Sequence, residues 1–191
     1  MKKPEGYDDV QAFTGDFQVL PAGGYVCRII SAKEVTSQNG NDMLEIEFDV
    51  DKGEFKDIYT QAFEGSEKRK WPHVGKFVQL IYGTDGRANQ YFKGMMVNIE
   101  KSNPEFVWDW DERTLKGKLF GGVFGREEYF NQYRGEYTFN TKLKFVRAVD
   151  VIERGRFVVP EDKLDPANSK NTQSSLPIVN LEISEDDDLP F

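Results

Sequence analysis

Met43-Leu-Glu-Ile-Glu-Phe-Asp-Val-Asp51 is the stretch on which the fold turns. Leu44, Ile46, Phe48 and Val50 share one parity, and Glu45, Glu47, Asp49 and Asp51 share the other. Strict alternation at period two predicts an antiparallel strand with one face in a core and an acidic face in water. Just upstream, Ser37-Gln-Asn-Gly-Asn-Asp42 contains Asn39-Gly40, the strongest hairpin signal in the chain. Before that turn, Tyr25-Val-Cys-Arg-Ile-Ile-Ser-Ala-Lys-Glu-Val35 is rich in β-branched residues and carries no helix cap, which predicts the partner strand. Downstream, Lys52-Gly53 turns the chain into a third predicted strand over 54–63.

Periodicity then changes. Val74, Phe77, Val78 and Ile81 have helical spacing behind Pro72, and Gly83-Thr-Asp-Gly-Arg87 ends that predicted helix. Tyr91, Phe92, Met95, Met96 and Ile99 repeat the spacing until Asn103-Pro104 stops it. A packed loop with Trp108 and Trp110 follows. The glycine-rich apolar stretch 115–128 predicts a strand with bulges or close backbone approach. An aromatic loop over 129–136 leads to a long strand over 137–152, which 154–159 extends. Three strands, a helical segment and two strands give a mainly β fold with an α-helical insertion. This is the order of an OB-fold, a five-stranded antiparallel barrel with helices between strands three and four. Its predicted extent is 1–160, with an N-terminal arm over 1–19 and a flexible linker and acidic tail over 161–191.

Composition narrows the function. The 191 residues suffice for one domain with a core. No apolar run is long enough to span a bilayer, and the charged N-terminus lacks a signal peptide's apolar core, so no membrane partner is expected. Cys27 and His73 are the only residues of their types, which excludes an intrachain disulfide and a zinc site built on Cys and His. A reducing cytoplasm is the natural compartment. No phosphate-binding Gly-x-x-x-x-Gly-Lys-Ser/Thr loop is present, and neither cofactor nor metal is expected. The net charge is −8, yet it is unevenly spread. Residues 65–101 hold seven cations against three acids, and 113–156 hold ten against five. Two basic blocks on an acidic chain suit a cationic groove.

Single-stranded nucleic acid needs cations for phosphates and aromatic faces for bases. The second block supplies both. Lys118, Phe120, Phe124 and Arg126 share one parity of the glycine-rich strand, and the next loop carries Tyr129, Phe130, Tyr133 and Arg134. Lys142 and Lys144 share a face of the last strand, with Arg147 just beyond. Pairing of the two strands gathers these groups near a hairpin tip. The first block offers Lys68, Arg69, Lys70 and Trp71, a run suited to clamping a backbone and stacking a base. Phe120, Phe124 and Trp71 have a competing reading as core residues.

The chain ends in Glu185-Asp-Asp-Asp-Leu-Pro-Phe191. So charged a segment buries too little surface to offset the entropy of ordering, and disorder is expected. Phe191 joins an aromatic ring to the α-carboxylate, which suits capture in an apolar pocket with a basic rim. Asp186, Asp187, Asp188, Leu189, Pro190 and Phe191 resemble the C-terminal tip of bacterial single-stranded DNA-binding proteins, with Leu189 where that family usually has Ile. In that family the tip recruits replication and repair proteins and does not itself hold DNA.

The body resembles a phage-encoded family of single-stranded DNA-binding proteins found in replication modules. The resemblance rests on Leu20-Pro-Ala-Gly-Gly-Tyr-Val-Cys-Arg-Ile-Ile30, Leu44-Glu-Ile-Glu-Phe48 with Gly53-Glu-Phe55, Ser102-Asn-Pro104 with Trp108, and Lys116-Gly-Lys-Leu119 with Glu127-Glu-Tyr129. It implies a non-catalytic protein that coats single-stranded DNA with low sequence specificity during phage replication or recombination, in the host cytoplasm. Because the body does not resemble the bacterial domain, the tetramer of that family does not carry over, and a homo-oligomer stays open. Two other readings stand beside this one. One is an interaction protein that works through its tail without binding DNA. The other is a metal-dependent nuclease using Glu45, Glu47, Asp49 and Asp51 with Glu54-Phe-Lys56, although a wet strand face explains the same alternation.

Overall fold

β1 (Gly23–Thr36) and β2 (Asp42–Val50) form the expected hairpin, in register from Cys27 opposite Val50 to Thr36 opposite Asp42. The structure, a computed structural model, describes residues 2–5, 7 and 19–168. Most of the predicted N-terminal arm, the linker from 169 onward and the acidic tip lie outside the described residues.

β1 is long enough to serve two neighbours. Its first half pairs with β4 (Leu119–Asn131), its second half with β2, and the β1–β2 register shifts between Ile29 and Ser31. Such an irregularity bends a strand and lets one sheet curl. The sheet runs β3-β2-β1-β4-β5, with β3 at Lys76–Leu80 and β5 at Glu136–Arg147, all antiparallel. It forms a nearly closed barrel with a helix between β3 and β4, the arrangement of an OB-fold. That helix, α2 (Gln90–Ser102), begins where Asn89 accepts from the backbone N–H groups of Tyr91 and Phe92. It buries Phe92, Met95, Met96 and Ile99 against the barrel and leaves Tyr91 exposed. At its far end the Asn103 amide accepts from the Leu119 N–H and donates to the Leu119 carbonyl, so the helix stop also fixes the start of β4.

Three predicted elements differ. The segment 54–63 is not the third strand: residues 53–57 turn the chain, and α1 spans Ile58–Glu64. The predicted helix over 74–81 is instead a 3-10 turn at His73–Gly75 followed by β3. In β3, Phe77 packs on the core while Val78 and Leu80 are exposed, a period-two pattern whose apolar positions coincide with helical spacing. The last strand ends at Arg147, and 149–153 form a short helix, α3 (Val149–Glu153), with the 154–159 extension likewise absent.

Inside the barrel Phe48 is fully buried, its ring edge-on to Tyr59 and Phe120 and 5.9 Å from Phe124. A second apolar cluster lies apart from this core, where Val26 of β1 and Val123 of β4 meet Ile152 of α3 and Phe157. Gly24 makes that approach feasible: a Cβ there would lie 2.3 Å from the Phe157 ring. The C-terminal segment is thereby fastened across β1 and β4. No helix among the described residues is long and apolar enough to cross a membrane.

Candidate nucleic-acid interface

β4 loses β1 as a neighbour after Phe124, yet it continues paired with β5 to Asn131 opposite Glu136. Residues 125–131 and 136–142 therefore form a two-stranded arm beyond the β1–β4 pairing. The predicted aromatic loop is shorter than expected, because Tyr129 and Phe130 belong to β4. The turn is locally determined. Asn131 Oδ1 accepts from the N–H groups of Tyr133 (3.0 Å) and Arg134 (3.2 Å), and Gly135 takes the left-handed conformation at φ 69°. Tyr133 is held at the tip with its side chain fully in solvent.

Register sorts the arm into two faces. On one lie Arg126, Glu128 and Phe130, opposite Thr141, Phe139 and Tyr137. Here Arg126 stacks 4.9 Å over the Phe139 ring and ion-pairs with Asp162, while Phe130 meets Tyr137 edge-on at 5.2 Å. On the other lie Glu127 and Tyr129, opposite Asn140 and Thr138. Lys142, Lys144 and Lys163 all direct their ammonium groups at the Glu127 carboxylate, Lys142 at 2.9 Å and Lys163 at 3.6 Å. Hydrogen bonds from Lys144 and Lys142 pull the Glu127 carboxyl down to about 2.

Lys163 reaches this point because residues 160–168 lie along the edge of β4 that β1 has left. Glu127 and Lys163 form a parallel bridge, with Glu128 N–H donating to the Lys163 carbonyl at 2.8 Å and Lys163 N–H donating to the Arg126 carbonyl at 3.0 Å. Glu128 then accepts from the Asp165 N–H and the Asn168 amide. Sequence patterning does not single out Lys163. Its only signal is an isolated cation shortly after Pro160.

The other expected contacts separate. Phe120 and Phe124 are 2% and 0% exposed and belong to the core, so neither offers a face to a base. They do share parity with Arg126, but that face becomes accessible only where β4 leaves the barrel. Lys118 caps the Phe106 ring at 4.7 Å. Arg147 stacks 5.0 Å over Phe145, an exposed aromatic absent from the sequence-predicted set. The β4–β5 register shifts at Val123 and Phe124, which breaks simple parity along β5 and hides such a residue from alternation arguments.

Lys68, Arg69 and Lys70 are exposed in the loop after α1. Trp71 is partly buried: its indole N–H donates to the Gly75 carbonyl at 3.0 Å and its ring lies 5.8 Å from Phe63. This loop leads into the 3-10 turn that packs against β5, so the first basic block borders the strand that carries the second.

The outer face of β1, β2 and β3 is electrically compensated. Lys33 lies 2.9 Å from Glu45, Lys76 lies 2.6 Å from Glu47 and 3.6 Å from Glu45, and the Ser31 hydroxyl donates to Glu47. A hydrogen bond from Lys33 lowers the Glu45 carboxyl below its ordinary range, while one to Glu47 raises the Lys76 ammonium. Asp49 departs from the expected wet face. It is 0% exposed and accepts from the N–H groups of Val50, Tyr59 and Thr60. Asp51 instead pairs with Arg28, which also holds Asp57. Glu45 and Glu47 thus share Lys76, Asp49 and Asp51 have partners of their own, and no group of three or more His, Cys, Asp or Glu among the described residues is placed to hold a metal ion. Cys27 is buried, and burial, with Asp49 and Asp51 nearby, raises its thiol well above the ordinary value.

Trp110 is 75% exposed with φ 67° and stands 6.1 Å from Trp108. Asp109, Asp111 and Glu112 flank it, an unsuitable setting for a phosphate backbone. The residues of the acidic tip, Asp186 to Phe191, lie outside the described residues. The sequence matches no family model and no curated protein.

Proposed function

We propose that this chain is a non-catalytic protein that binds single-stranded DNA with little sequence preference. The observation that carries the reading is the β4–β5 arm. It carries Tyr129 on the face of the lysine cluster and the fully exposed Tyr133 at its tip, on a barrel whose loops between strands 1 and 2 and between strands 4 and 5 are a recurrent oligonucleotide-binding surface. Stacking is tolerant of sequence because every base has a π-face, and the lysines take the phosphates. The loop bearing Lys68, Arg69 and Lys70 extends the cationic path along the β5 side. On this reading the protein coats exposed strands during replication or recombination. The tip Asp186-Asp-Asp-Leu-Pro-Phe191 recruits partner proteins through its terminal ring and carboxylate, as the resemblance to the bacterial tip suggests.

Fluorescence anisotropy with a labelled oligothymidylate and a duplex of equal length tests the DNA reading. Single strands are expected to bind far more tightly, because paired bases cannot reach the tyrosines, with a log–log salt slope of about −0.7 per neutralised phosphate. Equal affinity for both overturns it. For the tail, the full chain is compared with a chain lacking Phe191 in binding to purified replication and recombination proteins. Binding that survives the deletion overturns the recruitment role.

A further inference from the structure

Resting on the single-strand reading, we infer that DNA phosphates are seated on one face of the arm only. That seat is built by Lys142, Lys144 and Lys163 around Glu127, with Tyr129 as the adjoining base platform. The opposite face is the natural competitor, since it carries Arg126 and more aromatic surface. Its charges decide against it. Arg126 is committed to Asp162, and Glu128 lies between them and the tip, so acids outnumber cations there. On the proposed face three ammonium groups converge on a single carboxylate. Glu127 satisfies part of that charge and leaves an excess of two, enough to hold a phosphate alongside it.

Geometry supports the same choice. Glu127 and Tyr129 are two residues apart on one strand face, about 6.5–7 Å at the usual rise. A phosphate at the lysines therefore leaves the attached base within reach of the tyrosine ring. Glu127 acts as an internal counter-ion, holding the lysines in place without DNA and competing with phosphate for them. Residues 160–168 become part of the binding site, because the bridge to β4 is what delivers Lys163.

The test measures oligothymidylate affinity against salt for the full chain and four variants. Lys163→Ala is expected to weaken binding and to make the log–log slope shallower by about 0.7, one phosphate contact. Lys163 is exposed and its part in the bridge is made by backbone, so the fold tolerates the change. Glu127→Gln is expected to tighten binding and steepen the slope, the reverse sign. Tyr129→Ala is expected to weaken binding severalfold, and Phe130→Ala, on the other face, to leave it within twofold. If the unmodified chain binds single strands but Lys163→Ala leaves slope and affinity unchanged, the seat is wrong and the broader reading stands. A greater loss from Phe130→Ala than from Tyr129→Ala likewise overturns the seat alone. If the unmodified chain does not bind single strands, both fall.

Discussion

Lys142 Nζ lies 2.9 Å from Glu127 Oε2, so a cation that the sequence marks as a phosphate contact is already paired before any ligand arrives. With Lys144 on the same carboxylate, the Glu127 carboxyl falls from its ordinary 4.5 to about 2. A depressed folded-state pKa stabilises the fold above the unfolded value, and that contribution is lost as pH falls through the folded one. Stability is therefore expected to decline between pH 4.5 and about 2 in part through this site. Titration of the Glu127 carboxyl by NMR checks it. Lys144→Met is expected to raise the midpoint, and an unchanged midpoint contradicts the pairing.

Asp49 provides the second expectation. Its buried carboxylate receives the N–H groups of Tyr59 and Thr60, capping α1 from a neighbouring strand, while the residue at the cap position itself, Asp57, makes no side-chain cap. Asp49→Ala leaves buried donors unpaired, each costing about 1–3 kcal/mol. Urea denaturation is expected to show a loss of about 3 kcal/mol or more, with Asp49→Asn milder because one acceptor oxygen remains. A loss below about 0.5 kcal/mol for the alanine variant contradicts the capping role.

The same residue shows where sequence patterning succeeds and where it stops. Alternation places Leu44, Ile46, Phe48 and Val50 in the core, and they are buried. It also puts Asp49 in water, because its partners lie ten and eleven residues away in a segment whose pattern suggests a strand. Ile58 and Tyr59 begin a helix whose cap comes from outside its own sequence, so no local signal announces it. The five-stranded barrel with a helix between strands three and four is legible in outline, yet patterning assigns its third strand to the wrong residues. A five-residue edge strand with Phe77 inward has the same apolar spacing as one helical turn. At the candidate site, the hairpin and its tip residues are readable from composition and turn chemistry. Burial of Phe120 and Phe124 and the arrival of Lys163 depend on where the pairing of β4 with the start of β1 stops and residues 160–168 take its place, which is tertiary information.

Gly24 and Phe157 provide a third expectation. Gly24→Ala forces its new Cβ into the Phe157 ring and is expected to destabilise the fold by about 1–3 kcal/mol. Phe157→Ala costs stability through lost burial against Val26, Val123 and Ile152. Together the two are expected to cost less than their sum, since the clash disappears with the ring. Thermal or urea unfolding of the three variants reads this directly, and strict additivity contradicts the contact.

Tyr133 gives the cleanest separation of binding from stability. Its side chain is fully exposed, and its backbone is held by Asn131, so Tyr133→Ala is expected to leave unfolding unchanged. Loss of a stacking platform costs on the order of 1–3 kcal/mol in single-strand affinity. Unchanged affinity removes Tyr133 from the interface.

The most direct test of the central claim is photocross-linking of the full chain to an oligothymidylate carrying 4-thiothymidine, with the linked peptides identified by mass spectrometry. The expected result is adducts in the arm, at Tyr129 and Tyr133, that vanish when unlabelled single strand is added in excess. Adducts confined to the compensated face of β2 and β3, around Val78 and Leu80, or no competable adduct at all, contradict it.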